Sequence, residues 1–318
     1  MQLFVDVVVN GLALGSVYAV VAFGFVIVYK TSRVLNFAHG VLGAAGALAL
    51  ASLVTDGGLG IGPLAGANPF TAYAGSLWGW ALNLVLAVGV AALLGVTVER
   101  LAVRPLVGRE QFAVTLATIG ASIALQLVVD EAPIARTLRI PWGSESWPVG
   151  DATVTKSAVA SLALGACCFA FLAAFDRTRI GLAARAVASD QEAAVVQGID
   201  IGRIFSITWA LASAFATLAA VAFSFSPRGN GTISTALTPA LFFRALPVLA
   251  IGGWDSYRGA YLGGLVIGLM QAASGRFLAR YIEFLGVGYP TMLPYLLMIV
   301  VLMIRPAGTF GRPEIRRV

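Results

Sequence analysis

Two short stretches place polar groups and glycine inside apolar surroundings. Asn36-Phe37-Ala38-His39-Gly40 opens the second apolar run of the chain, and Gly252-Gly253-Trp254-Asp255-Ser256-Tyr257-Arg258-Gly259 follows the seventh. Polar side chains and broken backbone are costly at membrane depth unless they face a cavity. Asn36, Phe37, His39, Gly40, Gly252, Gly253, Trp254 and Asp255 are therefore the residues expected to line or gate a path. Each stretch leads into a run rich in small residues, Gly43-Ala44-Ala45-Gly46 in one case and Gly263-Gly264 in the other. Broken segments at corresponding places in two halves point to an internal repeat around a transport path. His39 is the one histidine. A lone histidine is more often a packed, hydrogen-bonded residue than a site, but its place at an interrupted start favours function.

Other chemistry is missing. No acidic pair lies within an apolar run, and no H-E-x-x-H spacing occurs, so an enzyme is not expected. A phosphate-binding loop needs Gly-Lys followed by Ser or Thr. Lys30 follows Tyr29 and Lys156 follows Thr155, so any ATP-driven work must belong to another subunit. An ion-coupled carrier places ionisable groups deep in its spans. Here the inventory is Asp6, Glu99 beside Arg100, His39 and Arg244, which is poor for a proton relay. Cys167 and Cys168 are adjacent in an apolar run and suit neither a loop-closing disulfide nor a metal site. No cofactor is expected.

The elements that must position these residues are membrane helices. Of 318 residues, 59% are hydrophobic and 11% charged, against about 25% charged in a soluble domain. Apolar runs lie at about 3–29, 34–54, 77–98, 112–129, 154–175, 204–225, 239–252, 259–275 and 289–304. The expected fold is an all-α polytopic bundle of about eight or nine transmembrane helices, forming a single domain over 1–318, with broken or re-entrant segments. The seventh run is too short for a full crossing and is expected to be a half-helix or strongly broken. Met1 to Asp6 lacks the basic region of a cleaved signal peptide, so the first span should remain.

Charge sets the orientation. If every run crosses, 14 of the 21 basic residues fall on one side and 6 on the other, with Arg244 inside a span. That split places the N-terminus outside and the C-terminus in the cytoplasm. The net charge of +6 comes without a basic patch interleaved with aromatics, so no nucleic-acid partner is expected. The loop 130–156, with Trp142 and Trp147, suits the outer interface. The stretch 176–203 is polar and falls on the cytoplasmic side. Its core, Leu182 to Val196, favours helix, and Ser189 and Asp190 stand where they can cap one.

These residues resemble the permease subunits of branched-chain amino-acid ABC importers, nearly end to end. Asn10-Gly11-Leu12 with Leu14 to Ala19 is similar to the family's first helix, and Val34 to Gly40 to its most distinctive motif. Arg104-Pro105-Leu106-Val107-Gly108 resembles its Arg-Pro-Leu-Arg-Gly turn. Gly181 to Gly198 resembles its cytoplasmic loop, and Arg305-Pro306, Gly308 and Phe310-Gly311 its C-terminal signature. The resemblance implies a bacterial inner-membrane permease, without ATPase activity of its own. It also implies a second related permease, two cytoplasmic ATPases and an external solute-binding protein as partners. Arg185, Asp190, Glu192, Ala193, Ala194 and Gly198 then form the loop that docks on the ATPase. Two departures stand out. The second break reads Gly252-Gly253-Trp254-Asp255-Ser256 where the family has Gly-Gly-x-Gly-Ser, and Val107 stands where arginine is common. Permeases of this kind also carry urea or short amides, which remains an alternative. An ion-coupled secondary transporter is the alternative of another class.

Overall fold

The computed structural model describes residues 2–55, 76–131, 137–143, 145–149, 152–226, 231–233, 237–278 and 289–311. The apolar runs become the helices α1 (Gln2–Ser32), α2 (His39–Thr55), α3 (Leu77–Val98), α4 (Gln111–Glu131), α5 (Lys156–Phe175), α8 (Ile201–Ser224), α9 (Leu237–Gly252), α10 (Tyr257–Ala273) and α11 (Tyr289–Ile304). Between α5 and α8 lie two polar helices, α6 (Arg179–Ser189) and α7 (Gln191–Val196). The starts of α3, α5 and α10 follow a common rule: Ser76, Thr155 and Ser256 each accept a bond from the amide three residues on. Among the described residues, five helices are long and apolar enough to cross a membrane: Phe4–Ser32, Leu77–Leu106, Gln111–Glu131, Lys156–Phe175 and Ile201–Ser224.

Helix α1 is the centre. It is apolar on all sides, as a helix buried on all sides must be, and it packs against α10, α8, α5 and α9. Helix α2 is buried from His39 to Leu53, held by α8, α3 and α9. Close approach explains the small residues. A methyl added at Gly15 would lie 2.7 Å from the Gly264 carbonyl oxygen of α10, and one at Gly43 would lie 2.7 Å from that of Ala216 in α8. Helices α3, α4, α5 and α11 show large apolar side chains outward, among them Leu93, Leu116, Phe171 and Met303. With the Gly15–Gly264 crossing at backbone contact, Gly264→Val is expected to force the two central helices apart. Such overpacking costs about 1–3 kcal/mol or more, and a lower yield and earlier thermal unfolding in detergent would register it.

One end of the bundle gathers charge. Lys30 Nζ at the end of α1 pairs with Asp176 Oδ2 after α5 at 3.2 Å. Helix α9 also finishes at this basic end: the Ile251 and Gly252 carbonyls accept from Thr309 N (2.8 Å) and Phe310 N (3.2 Å), just beyond α11. At the opposite end, the close of α8 joins the chain after α4 through Gly231 N to Ser224 O and Leu138 N to Gly231 O, both 3.0 Å. The seventh run therefore leaves one end and arrives at the other. Its 16 residues make it short, as expected, and Pro247 lies inside it. The loop 130–156 carries a structure the sequence reading lacked, a hairpin of β1 (Ser146–Val149) and β2 (Ala152–Thr155). Trp142 and Trp80 meet beside it edge to face, ring centroids 5.6 Å apart.

Candidate translocation site and coupling element

The first break begins where α1 ends. Arg33 takes a left-handed backbone (φ 56°) and turns the chain back along α1. The segment then climbs until His39 Nε2 reaches the Val21 carbonyl at 3.2 Å. At 1.5 Å per residue, Val21 lies about 16 Å below the end of α1. Helix α2 thus starts well inside the bundle. The His39 ring packs on Phe25, centroids 4.4 Å apart, and fills the space beside Gly24 that a side chain there would need. Thr118 of α4 pins the segment: its Oγ1 accepts from Phe37 N at 3.2 Å and shares its one hydrogen between the Thr115 carbonyl at 2.8 Å and the Leu35 carbonyl at 3.2 Å.

The side chains of Asn36 and His39 are treated differently from that backbone. Each residue is 1% exposed. Among the described residues, Asn36 Nδ2 and Oδ1 and His39 Nδ1 have no hydrogen-bond partner. An unmet buried polar atom costs about 1–3 kcal/mol, so such groups at a helix break point to function. Phe37 packs on the core and Gly40 is buried in the first turn of α2.

The second break lies elsewhere. Gly252, Gly253, Trp254 and Asp255 sit at the basic end, and the two breaks are not brought together. Gly253 needs its φ of +101°, and a methyl on it would lie 2.5 Å from Gly311 N, because the C-terminal segment seats on this turn. Trp254 meets Tyr29 of α1, centroids 5.5 Å apart. Trp254 and Asp255 line a cleft of about 1310 Å³, shared with Lys30, Arg33, Arg177, Arg185, Arg258 and Asp176. Helix α1 connects the breaks, with Val21 to Phe25 touching the first and Tyr29 the second.

The polar stretch 176–203 forms two helices, α6 and α7, the second starting at the cap expected at Asp190. The break falls at Asp190, which is extended (φ −157°, ψ 112°) and caps α7 by accepting from Ala193 N at 3.0 Å. Gly198 ends α7 with φ +79°. Gly198 N donates to Val195 O (2.8 Å) and Ile199 N to Ala194 O (3.0 Å), the paired bonds of a glycine-closed helix end. Glu192 and Ala193 are exposed and Ala194 is buried. Ala194 joins Ala184, Val187, Ile204 and Phe205 in a small core of its own, with Ile199 against it. Helices α6 and α7 are thereby fixed to the base of α8. Val195 and Val196 remain outward, 56% and 83% exposed. Arg185, on α6, lines the cleft instead.

Sequence reasoning missed one cluster. Glu99 was read beside Arg100, but its carboxylate is fully buried and pairs with Arg104. Arg104 Nε and Nη2 reach Oε1 and Oε2 at 2.9 and 3.0 Å, and Ser206 Oγ donates to Oε2 at 2.8 Å. Arg104 Nη2 also donates to the Gly202 carbonyl at 2.8 Å. A π-helical turn, Glu99–Val103, followed by Pro105 sets this geometry. The end of α3 is so clamped to the base of α8. The signal was the spacing from Glu99 to Arg104 in the Arg-Pro-Leu turn.

A bundle of apolar helices with a polar break deep inside it, a charged cleft at one end and a compact helical projection beside it defines a multi-span transport subunit. The chain belongs to the family described as branched-chain amino acid transport system, permease component, which matches residues 7–304. It is similar to the high-affinity branched-chain amino acid transport system permease protein LivH of Escherichia coli, 28% identical over 99% of this chain and 98% of that one. The permease protein BraD of Pseudomonas aeruginosa is 29% identical over the same shares. No solved structure matches the chain.

Proposed function

We propose that the chain forms the membrane path of an ATP-driven importer of branched-chain amino acids in a bacterial inner membrane. The observation that carries this is the α6–α7 projection, a compact pair of helices fixed to α8 and presenting Val195, Val196 and Glu192 outward. It has the form needed to receive a push from an ATPase on a separate chain. The family match and the names of the relatives support the solute class.

In this reading the basic end faces the cytoplasm, and the nine apolar helices all cross, α2 by completing a crossing that the segment 33–38 begins. Asn36, Phe37, His39 and Gly40 line the path at mid-depth. Gly252, Gly253, Trp254 and Asp255 border its inner mouth, where Trp254 takes the place of a small residue. A second related permease covers the outward apolar faces, two ATPases dock below, and an external binding protein delivers solute. The reconstituted complex should take up labelled leucine into proteoliposomes only with ATP inside and binding protein outside. Uptake driven instead by an ion gradient, without the ATPases, would overturn the reading.

A further inference from the structure

We propose that the interrupted start of α2 is a transient site for the head group of a zwitterionic amino acid. Asn36 Nδ2 and the N-terminus of α2 take the carboxylate, and His39 Nδ1 with Asn36 Oδ1 take the ammonium. The inference rests on the importer reading and names the chemistry of its path.

Three independent observations meet here. The first is the set of atoms without partners among the described residues, Asn36 Nδ2 and Oδ1 and His39 Nδ1, on residues buried to 99%. The second is the tautomer. His39 Nε2 stands 3.2 Å from the Val21 carbonyl, which accepts only, so Nε2 carries the hydrogen. In the neutral ring Nδ1 then keeps its lone pair and can only accept, which suits an ammonium N–H. The third is the position of the helix start, inside the bundle rather than at its surface. A helix N-terminus carries about half a positive charge and favours a carboxylate. The backbone of the break is met separately by Thr118, so the unmet side chains are not a by-product of a poorly held loop.

The set also fits the net charge of the solute. It offers one donor, two acceptors and a helix dipole, with no full charge among them. A zwitterion is neutral overall, so such a site matches both of its ends. A fixed charge would hold one end and slow release, and a transport path must let its solute go. One wall is the Phe25 ring, its centroid 4.4 Å from that of the histidine, and the Ala212 carbonyl oxygen of α8 lies beside Gly24. The Phe25 face suits an aliphatic side chain. In this conformation the site is closed, and the solute enters it only as the break opens.

The test uses the complete importer in proteoliposomes. Asn36→Leu keeps the approximate size and removes both polar atoms. Loss of hydrogen bonds to a charged head group should slow leucine uptake about tenfold, while the binding protein keeps its affinity and the subunits co-purify. A second measurement does not depend on that variant. With Cys167→Ser and Cys168→Ser as background, Ala38→Cys, which keeps both Asn36 and His39, is reacted with a small hydrophilic methanethiosulfonate during turnover. Leucine should slow the reaction severalfold, and isopentylamine, which lacks the carboxylate, should not. Uptake within twofold of wild type, or equal protection by both compounds, overturns the site and leaves ordered water as the partner of these atoms. Wild type that fails to take up leucine overturns the importer reading and the site with it.

Discussion

Gly198→Val is expected to uncouple the importer, with solute-stimulated ATP hydrolysis falling about tenfold. The argument starts at the backbone. Gly198 sits at φ +79°, where a side chain crowds the next carbonyl at a cost of about 1–2 kcal/mol, and more for a β-branched residue. About 1.4 kcal/mol is a factor of ten in population. Space is not the obstacle, because a methyl at Gly198 meets nothing within 4 Å. What is lost is the pair of bonds to Ala194 and Val195 that closes α7, and with it the seat of Ile199 on the small core. The projection stays attached but no longer holds one shape. Gly198→Asn gives a sharp control, since asparagine tolerates the left-handed region. It should restore most of the coupling. If valine and wild type hydrolyse ATP alike with solute present, α7 is not the docking element. Glu192→Lys tests the same surface through charge and should weaken co-purification of the ATPase without changing α7 itself.

The fold was largely legible because hydrophobicity alone places membrane helices. All nine apolar runs became helices, and the bounds of α3 and α11 coincide with those read from the sequence. The cap at Asp190 and the terminating role of Gly198 were also readable, because both act within a few residues. What escaped depends on distance in sequence. Nothing local in Thr118 marks it as the pin of a segment 81 to 83 residues earlier. The glycines at 308 and 311 read as a terminal signature, but their use is to let the chain settle on Gly253. The two breaks looked alike because both combine glycine with polar residues. Their depths differ, since one is set by a histidine bonding into α1 and the other by contact with the C-terminal segment. Residues 56–75 and 312–318, including Arg312, Arg316 and Arg317 of the charge count, lie outside the described residues.

Arg104→Met should do more damage than Glu99→Gln, although both break the same pair. The asymmetry follows from burial. The Glu99 side chain is 0% exposed, whereas that of Arg104 is 41% exposed. Removing the arginine leaves a carboxylate in the interior with Ser206 as its remaining donor on α8. Stripping one partner from a buried pair costs about 3–5 kcal/mol, and the lower figure applies here because water reaches the guanidinium. Removing the charge of Glu99 instead leaves Arg104 close to water and still bonded to the Gly202 carbonyl. Only the attraction is lost, so glutamine should cost about 1 kcal/mol. The pair joins α3 to the base of α8, directly beneath the α6–α7 projection, so its loss also severs a rigid link on the coupling side. Thermal unfolding of the purified complex should therefore rank wild type above Glu99→Gln and Glu99→Gln above Arg104→Met. The double variant Glu99→Gln with Arg104→Met should recover part of the stability lost in Arg104→Met, since no charge is then buried alone. A double variant less stable than Arg104→Met would mean that the buried carboxylate is held by contacts other than the arginine.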